Sequence, residues 1–383
     1  MNCPANFKNL ALTGVINLKN CLVTRIVTFG LLVALSGPIS ADDQETLVTA
    51  GLTDSVEIIK DEWGVSHIYA NNQHDLFFAQ GYNAARDRLF QFEIWRRRAT
   101  GTLAEILGEK FIDHDEGARL LRYRGDIEAE LSHYHEDGVE IVHAFVAGVN
   151  AYIDLVRTNS DLLPPEFELL GIEPGLWTPE IVVSRHNALT GGIKTEIMLA
   201  ETITALGEER TKQVLPFQRT PNLTAKPDID LTVITKNIYK LYGASRARID
   251  FSSSTPEVAL QADPLQWAET VGSNNWVITG ERTASGKPIM ANDPHRRIQI
   301  PSLRYIVHLN APGWNVIGAG EPVLPGVSIG HNEHGAWGLT IFSIDQEDLY
   351  VYRTNPENAD QYWYNGGWRD MEVEHVTIHV KGQ

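Results

Sequence analysis

The spacing of apolar residues changes along the chain from a helical to a strand-like pattern. One face of the stretch 71–99 carries apolar residues at intervals of three and four: Phe78, Tyr82, Ala85, Leu89 and Phe92. This spacing predicts a long helix, which Asn71 or Asn72 would cap at its start. Just before it, SVEIIKDEWGVSHIYA predicts two short strands around a turn at 62–64.

Further helical stretches follow before residue 250. A second long helix is predicted over about 127–157, because apolar residues form a stripe along it: Val142, Phe145, Val149 and Tyr152. The Pro-rich stretch LLPPEFELLGIEPGLWTPE then predicts a connection packed by Phe167 and Trp177. AETITALGEERTKQVL, residues 200–215, predicts more helix.

The character of the chain changes again at Phe251. Residues 251–272 contain no Lys or Arg, two prolines and a Ser/Thr cluster, which is typical of a linker. Beyond it, NNWVITG and KPIMAN flank a Gly-containing turn and predict a hairpin. Five more strand-like stretches follow: SLRYIVHLN, NVIGAG, VSIGHN, AWGLTI and DLYVYR. A mainly helical part joined by a linker to a β-rich part predicts the α+β class.

Composition narrows the class of protein and its compartment. The 383 residues carry a net charge of −17, which repels phosphate backbones and excludes nucleic acid as an expected partner. Residues 1–41 contain three basic residues, no acidic residue, and the apolar run IVTFGLLVAL followed by small residues. This pattern predicts a signal peptide cleaved after Ala41, and the apolar run is too short to span a bilayer. An N-terminal membrane anchor is the alternative.

A mature chain that begins after residue 41 would be secreted or periplasmic, without a stable membrane anchor. Its net charge would be −20, because three positive charges leave with the signal. Both cysteines, Cys3 and Cys21, would also be removed. The sequence therefore excludes a disulfide scaffold, a Cys nucleophile and a thiolate metal site in the mature protein.

Two serines are candidate nucleophiles, and each needs a base. Ser328 lies in GVSIG, the letter pattern of a nucleophile elbow, but HNEHGAWG follows and favours a turn rather than the required helix. Ser273 follows Gly272 at the end of the linker. If the bond between them is cut, the α-amine of Ser273, with a pKa of about 7.7–8.0, can take the hydroxyl proton. Gly272 suits this role, since glycine offers little bulk and tolerates strained backbone angles.

Several stretches carry a family pattern in a fixed order: DEWGVSHIYA, GYNAARDRLFQFEIWRRRATGTLAEILG, FVAGVNAYID, PPEFELLGIEPGLWTP, GSNNWVITGERTASGKPIMANDPH, LPGVSIGHNEHGAWGLT and DQEDLY. In these stretches the chain resembles the penicillin acylase family of N-terminal-nucleophile hydrolases. The resemblance implies a four-layer αββα fold and a precursor that cuts itself. The expected regions are a signal at 1–41, an α chain at 42–250, a spacer at 251–272 and the start of a β chain at 273–383.

The resemblance also implies roles for individual residues. Ser273 matches the nucleophile, the backbone of His295 would support it, and the backbone N–H of Ile341 would form part of the oxyanion hole. The family binds a structural Ca²⁺, which prefers oxygen ligands. Its implied ligands in this chain are Glu196, Asp345, Glu347 through its carbonyl, and Asp348. His331 and His334 have a spacing that can suit zinc, but the surrounding glycines favour a structural turn.

The expected activity is hydrolysis of an N-acyl amide, with penicillins, acyl-homoserine lactones and acylated peptides all open as substrates. Arg296 and Ser343 are expected to line the acyl pocket, and the charge of Arg296 favours a polar or anionic acyl chain. The family's β chain is longer than 273–383, so the resemblance implies an incomplete fold at the C-terminus. Two alternatives stay open: an inactive fragment or binding pseudo-enzyme, and a serine hydrolase that uses Ser328.

Overall fold

The computed structural model describes residues 11–13, 15–19, 44–184, 191–214, 229–249, 251, 273–296, 299–340 and 346–382. The chain divides into two compact units. Unit 1 comprises Met1–Arg96, Arg124–Val183 and Asp263–Ile341, and unit 2 comprises Arg97–Tyr123, Ser184–Ala262 and Phe342–Gln383. Each unit therefore draws on both sides of the predicted spacer. The predicted boundaries of signal, α chain and spacer are processing boundaries and stay predictions.

The strands of unit 1 are numbered β1 to β11 in chain order: Ala11–Thr13, Val15–Lys19, Gln44–Val48, Ser55–Lys60, Ser66–Tyr69, Ser273–Ile278, Ile289–Pro294, Tyr305–Ala311, Trp314–Gly320, Ile329–His331 and Ala336–Trp337. Nine form one sheet in the order β1-β3-β2-β4-β5-β8-β9-β10-β11, while β6 and β7 pair as a separate hairpin. The predicted strand pair before residue 70 is confirmed by the antiparallel β4–β5 pairing. The predicted hairpin is confirmed by β6 and β7.

Strand β5 pairs in parallel with β8, with Ser66 opposite Val307 and Tyr69 opposite Asn310. This pairing joins a strand that precedes the predicted spacer to one that follows it. The inward-facing residues of this part of the sheet alternate along the strands and are fully buried: Val56, Ile58, Ile68, Val307 and Leu309. The central sheet of unit 1 is thus a product of both parts of the chain.

The helices are numbered α1 to α10 in chain order: Gln73–Thr100, Ala104–Leu107, Ile112–Leu120, Ile127–Tyr134, Gly138–Thr158, Pro165–Leu170, Pro179–Ser184, Ile193–Leu206, Glu208–Val214 and Tyr239–Arg246. Helix α1 confirms the first predicted helix, with a local break at Arg88. Its cap is Asn72, whose Oδ1 accepts the backbone N–H of Asp75 at 2.8 Å. The mixture of helices and sheets agrees with the predicted α+β class; the four-layer arrangement stays a prediction.

Two predicted helices are each divided in the structure. The helix predicted over 127–157 is α4 followed by α5, with an extended residue at His135 between them. Gly138 begins α5, and an added Cβ there would lie 2.1 Å from the carbonyl oxygen of Leu131, so the chain turns back closely on α4. The stretch 200–215 is divided at Gly207, whose φ of +75° favours glycine and ends α8.

The prediction of a strand over DLYVYR was wrong. The described residues 346–353 form no strand, and the backbone N–H of Leu349 is bound by the carboxylate of Glu196 instead of a neighbouring strand. Unit 2 has a three-stranded sheet further on: β12, Thr354–Asn355; β13, Asn358–Tyr364; and β14, Gly367–Asp370. Asn365 and Gly366, both with positive φ, form the two-residue turn of its hairpin, a signal present in the sequence.

The stretch HVTIHV, residues 375–380, has apolar residues at every second position but forms no strand in the structure. Instead, Ile378 and Val380 pack against an apolar cluster in unit 2 made of Leu103, Ala104 and Phe111. The alternating apolar residues thus cover a core that other parts of unit 2 provide.

Helices α1 and α5 cross in unit 1 at backbone contact distance. An added Cβ at Gly81 would lie 2.1 Å from the carbonyl oxygen of Phe145, and one at Gly148 would lie 1.9 Å from that of Phe78. Around the crossing lie fully buried aromatic residues, among them Phe77, Phe78, Tyr82, Phe92 and Phe145. The two glycines allow an approach that no other residue permits.

Helix α5 is long and apolar enough to cross a membrane by length and composition, and it is the only such helix among the described residues. Of its most apolar stretch, 56% is buried inside the protein, which is typical of a core helix. The apolar run of the predicted signal peptide lies outside the described residues.

The helix crossing gives a stability prediction. Replacing Gly148 by alanine should lower the free energy of unfolding by about 1–3 kcal/mol, because the methyl group meets a backbone carbonyl and forces the helices apart. This loss should appear although alanine has the higher helix propensity. Urea unfolding followed by circular dichroism measures it.

The control is Gly335→Ala, since an added Cβ at Gly335 meets nothing within 4 Å and Gly335 has no positive φ. Its free energy of unfolding should stay close to that of the unchanged protein. Equal stability of the two variants would contradict the close-crossing interpretation.

Candidate active site

Ser273 is the first residue of β6, and the register of the hairpin decides what lies beside it. Ser273 is opposite Pro294, the last residue of β7. Proline has no backbone N–H, so the ladder ends there and the next donor is the N–H of His295. That N–H donates to the Oγ of Ser273 at 3.1 Å. The structure therefore brings Ser273 and the backbone of His295 together.

The imidazole of His295 has a different partner. Its Nε2 lies 2.9 Å from Oδ2 of Asp293, and both side chains are well exposed. The two residues are two apart along an extended chain, which directs both to one face. Asp293 was not singled out in the sequence, although this spacing was visible. Because the contact with Ser273 runs through the backbone of His295, this pair does not form the serine–imidazole contact of a catalytic triad.

The remaining residues predicted around the nucleophile are only partly described. Arg296 is exposed, and its Nη1 donates to the carbonyl oxygen of His295 at 2.9 Å, so it lies next to the Ser273 contact along the chain. Gly272, Ile341 and Ser343 lie outside the described residues.

Asn292 in β7 is a residue that the sequence analysis missed. Its side chain exchanges two hydrogen bonds with the backbone of Leu339, each 3.2 Å long, and also reaches the carbonyl oxygen of Asn274 at 3.4 Å. The available signal was an asparagine within a β strand, where asparagine is depleted. The side chain connects the beginning of β6 with the segment around Leu339.

The alternative nucleophile Ser328 does not have the surroundings of a nucleophile elbow. An elbow leads from a strand into a helix. Ser328 is followed directly by strand β10, and its backbone N–H donates to the carbonyl oxygen of Ala319. The geometry of this segment therefore disfavours the serine hydrolase that uses Ser328.

His331 is the exposed last residue of β10, and His334 lies in the exposed turn that follows it, where the sequence predicted a turn. Asn332 accepts the backbone N–H groups of His334 and Gly335 through its Oδ1, at 2.9 and 2.8 Å. Side chain-to-backbone bonds of this kind are typical of Asx turns. The pair thus belongs to a structural turn.

The predicted calcium ligands lie in unit 2. Glu196 is in the first turn of α8, and its Oε2 accepts the backbone N–H of Leu349 at 2.7 Å. The carboxylate thereby lies beside the segment that contains Glu347 and Asp348, and Asp348 is exposed. Asp345 lies outside the described residues.

The side chain of Glu347 is engaged by helix α10. Its two oxygens accept hydrogen bonds from the phenol of Tyr242 at 2.8 and 2.6 Å, and Arg246 pairs with it at 3.2 Å. Burial and the bond to Glu347 raise the pKa of Tyr242, so the phenol stays a neutral donor. These contacts engage the side chain of Glu347 with helix α10.

The oxygen donors among the described residues have the chemistry of calcium ligands. Carboxylate oxygens of Glu196 and Asp348 and the carbonyl of Glu347 belong to two segments joined by a hydrogen bond, and these hard oxygens suit Ca²⁺. Within the part of the chain that the structure describes, no group of three His, Cys, Asp or Glu residues could hold a metal by itself. The described residues thus have the oxygen chemistry that Ca²⁺ prefers, but they do not by themselves form a six- to eight-oxygen shell.

The comparisons with known proteins agree with one another. The sequence model of the penicillin amidase family matches residues 55–383. Penicillin G acylase from Escherichia coli is 28% identical over 95% of this chain and 47% of its own length. Penicillin acylase 2 proenzyme from Pseudomonas sp. (strain SE83) is 30% identical over 80% of this chain and 38% of its own. Acyl-homoserine lactone acylase QuiP from Pseudomonas aeruginosa is 29% identical over 87% of this chain and 38% of its own length.

The chain spans less than half the length of these three relatives. The family match nevertheless covers most of the chain, including Ser273, the hairpin that carries it and the predicted calcium ligands. The chain belongs to the penicillin amidase family.

Proposed function

We propose that this chain is part of a secreted, self-processing amidohydrolase with the four-layer fold of N-terminal-nucleophile hydrolases. It cleaves an acyl group from an amide, and Ser273 is the nucleophile. The observation that carries the proposal is the hydrogen bond from the backbone N–H of His295 to the Oγ of Ser273. Family membership supports it, because the relatives are named as acylases.

The proposed reaction uses Ser273 as an N-terminal residue. Its α-amine, with a pKa of about 7.7–8.0, takes the proton from Oγ at neutral pH. The N–H of His295 occupies a lone pair of Oγ, which leaves the hydroxyl proton for the amine and stabilises the charge that forms on the oxygen. Oγ then bonds to the amide carbonyl carbon, and the amine returns the proton to the leaving nitrogen as the C–N bond breaks. Water hydrolyses the resulting ester and regenerates Ser273.

Maturation requires the same oxygen. Oγ attacks the carbonyl carbon of Gly272, the peptide C–N bond breaks, and the nitrogen of Ser273 takes up the proton. Hydrolysis of this internal ester gives a new carboxylate at Gly272 and a free α-amine at Ser273. The name of the Pseudomonas proenzyme is consistent with processing. The pairing of β5 with β8 would keep the two new chains associated, since each supplies one of the strands.

The substrate is a small N-acyl compound, by analogy with relatives named for penicillins and acyl-homoserine lactones. We expect Arg296 and Ser343 to line the acyl pocket. Arg296 is an exposed cation next to His295, so an acyl chain with a polar or anionic end would gain a charge-assisted hydrogen bond there. A negative net charge gives no expectation of a nucleic-acid partner.

A structural calcium ion is part of the proposal. Glu196, Asp345 and Asp348 would bind it through carboxylates and Glu347 through its carbonyl, tying α8 to the segment after residue 345. The ion would neutralise the charge of these carboxylates and would take no part in the reaction itself. The signal peptide over 1–41 directs the protein to the periplasm or the medium, where Ca²⁺ is accessible.

The first prediction concerns maturation at Ser273. The product of the complete reading frame should contain a chain that begins Ser-Asn-Asn-Trp, found by intact mass and N-terminal sequencing. Ser273→Ala should remain uncut, and amide hydrolysis should fall more than about a thousandfold because the nucleophile is missing.

Ser328→Ala is the control for that experiment and should be cut and active. An uncut product that still hydrolyses amides, or activity that survives Ser273→Ala and disappears in Ser328→Ala, would contradict the N-terminal mechanism. Uncut and inactive wild-type protein would instead favour a fragment or a binding pseudo-enzyme.

The second prediction concerns the acyl chain. Among phenylacetyl, glutaryl and long-acyl p-nitroanilides, the glutaryl compound should have the highest kcat/KM. Arg296→Leu should lower that value by about ten- to a hundredfold, the worth of one charged hydrogen bond. Arg282→Leu, at an exposed arginine in the turn of the same hairpin, should change little. A preference of the wild-type enzyme for phenylacetyl would refute a polar acyl pocket.

The third prediction concerns calcium. Excess CaCl2 should raise the Tm relative to protein treated with EGTA. The free energy of unfolding should rise by about 2.7 kcal/mol when free calcium is a hundredfold above Kd. Glu196→Gln, which keeps an acceptor for Leu349 but loses the charge, should abolish that difference. Glu201→Gln is the matched control, because Glu201 in the same helix also accepts a backbone N–H, that of Lys236. An equal Tm with CaCl2 and with EGTA would contradict the proposed calcium site.

A further inference from the structure

The side chain of Asn292 contacts two backbone segments, the start of β6 and the segment at Leu339. We propose that Asn292 is a positioning residue, which holds the segment at Gly338 and Leu339 in register with Ser273 and thereby sets the rate of the chemical step. This inference rests on the proposed function of Ser273. It concerns a residue that touches neither the substrate nor the nucleophile.

The contacts have the geometry of strand pairing. Oδ1 of Asn292 accepts the N–H of Leu339 at 3.2 Å, and Nδ2 donates to the carbonyl oxygen of Leu339 at 3.2 Å. The carboxamide thus takes the place of a peptide group in a neighbouring strand. Nδ2 also lies 3.4 Å from the carbonyl oxygen of Asn274, the residue directly after Ser273. One side chain therefore forms hydrogen bonds with both the start of β6 and the segment at Leu339.

The partner segment is shaped for this approach. An added Cβ at Gly338 would lie 2.7 Å from Cγ of Asn292 and 2.9 Å from its Cβ and Oδ1. Cβ atoms do not come so close to other heavy atoms, so a side chain at position 338 would push Asn292 away from Leu339. Gly338 and Asn292 form a matched pair.

The consequence for catalysis follows from the order of residues. Leu339 lies two residues before Ile341 in the sequence, and the family resemblance implies that the N–H of Ile341 forms part of the oxyanion hole. In the proposed reaction, the donor must be aligned with the carbonyl that Oγ attacks. A misplacement of 1 Å between reacting groups can lower a rate by about a hundredfold, and loss of an oxyanion donor costs about 10²–10³ in kcat. Releasing Leu339 should therefore lower kcat rather than substrate binding.

A purely structural role is the competing explanation, because unit 1 contains the same arrangement elsewhere. Asn150 exchanges two hydrogen bonds with the backbone of Trp177, at 2.8 and 3.0 Å. That contact provides a matched control: the same chemistry, between a helix and a connection that hold no proposed catalytic group.

The test compares Asn292→Ala with Asn150→Ala in the processed enzyme. The measurements are the Tm, the titre of reactive Ser273 and the kinetics on an N-acyl p-nitroanilide that the wild type cleaves. Asn292→Ala should lower kcat per titrated site by about ten- to a hundredfold, with KM within about twofold. Asn150→Ala should lower the Tm and leave kcat per site unchanged. Asn292→Asp keeps the acceptor for Leu339 and should lose less kcat than Asn292→Ala.

Gly338→Ala disrupts the same contact from the partner segment, because the added methyl group would displace the side chain of Asn292. It should lower kcat like Asn292→Ala, and the double variant should be no slower than the slower single variant, because both changes break one contact. If Asn292→Ala matures slowly, the rate of cleavage before Ser273 becomes the readout and should fall without a fall in Tm.

The inference would be overturned by a kcat of Asn292→Ala within twofold of wild type, by an equal loss in Asn150→Ala, or by slow cleavage accompanied by a lowered Tm. Ser273→Ala is measured alongside. Full hydrolysis by Ser273→Ala would refute the proposed function itself, whereas loss in Ser273→Ala with no effect of Asn292→Ala refutes only the role of Asn292.

Discussion

The packing of unit 1 depends on the crossing of α1 and α5, where the two helix backbones are in contact. Gly81 and Gly148 let the two backbones touch, and the aromatic residues around them are fully buried. Helix α1 is thereby held in one position and can present other side chains to the sheet. Phe77 packs edge-on against Trp314 in β9, with ring centres 5.0 Å apart, and Gln73 accepts the indole N–H of the same residue. Packing of this density leaves little freedom to shift the sheet against the helix.

Side-chain amides connect segments that have no neighbouring strand. The buried Gln80 of α1 exchanges two hydrogen bonds with the backbone of Gly326, Asn150 does so with Trp177, and Asn292 with Leu339. An unpaired buried peptide group costs about 1–3 kcal/mol, so the carboxamides of Gln80 and Asn150 provide partners that the part-buried backbone of Gly326 and Trp177 would otherwise lack. Such hydrogen bonds hold irregular segments at defined distances from the helices and strands. A site that uses backbone groups requires this precision.

The hairpin of β6 and β7 places the candidate nucleophile where the ladder ends. Pro294 cannot donate opposite Ser273, and the next N–H, that of His295, reaches the serine hydroxyl. The peptide bond proposed for cleavage lies just before the first residue of β6, so its loss would leave the register of the hairpin intact. The parallel β5–β8 pairing lies on both sides of the same proposed cut and would survive it as well.

The sequence by itself determined the main elements and the family. Periodic apolar residues predicted α1, the strand pair β4–β5 and the hairpin, because local spacing decides which face an element buries. The family resemblance predicted that the backbone of His295 lies beside Ser273. Only the tertiary structure decided the break before Gly138, the irregular course of residues 348–353 and the contacts of Asn292 with Leu339. These depend on groups far apart in sequence, such as Glu196 with Leu349, and periodicity along one segment carries no information about what another segment brings to it.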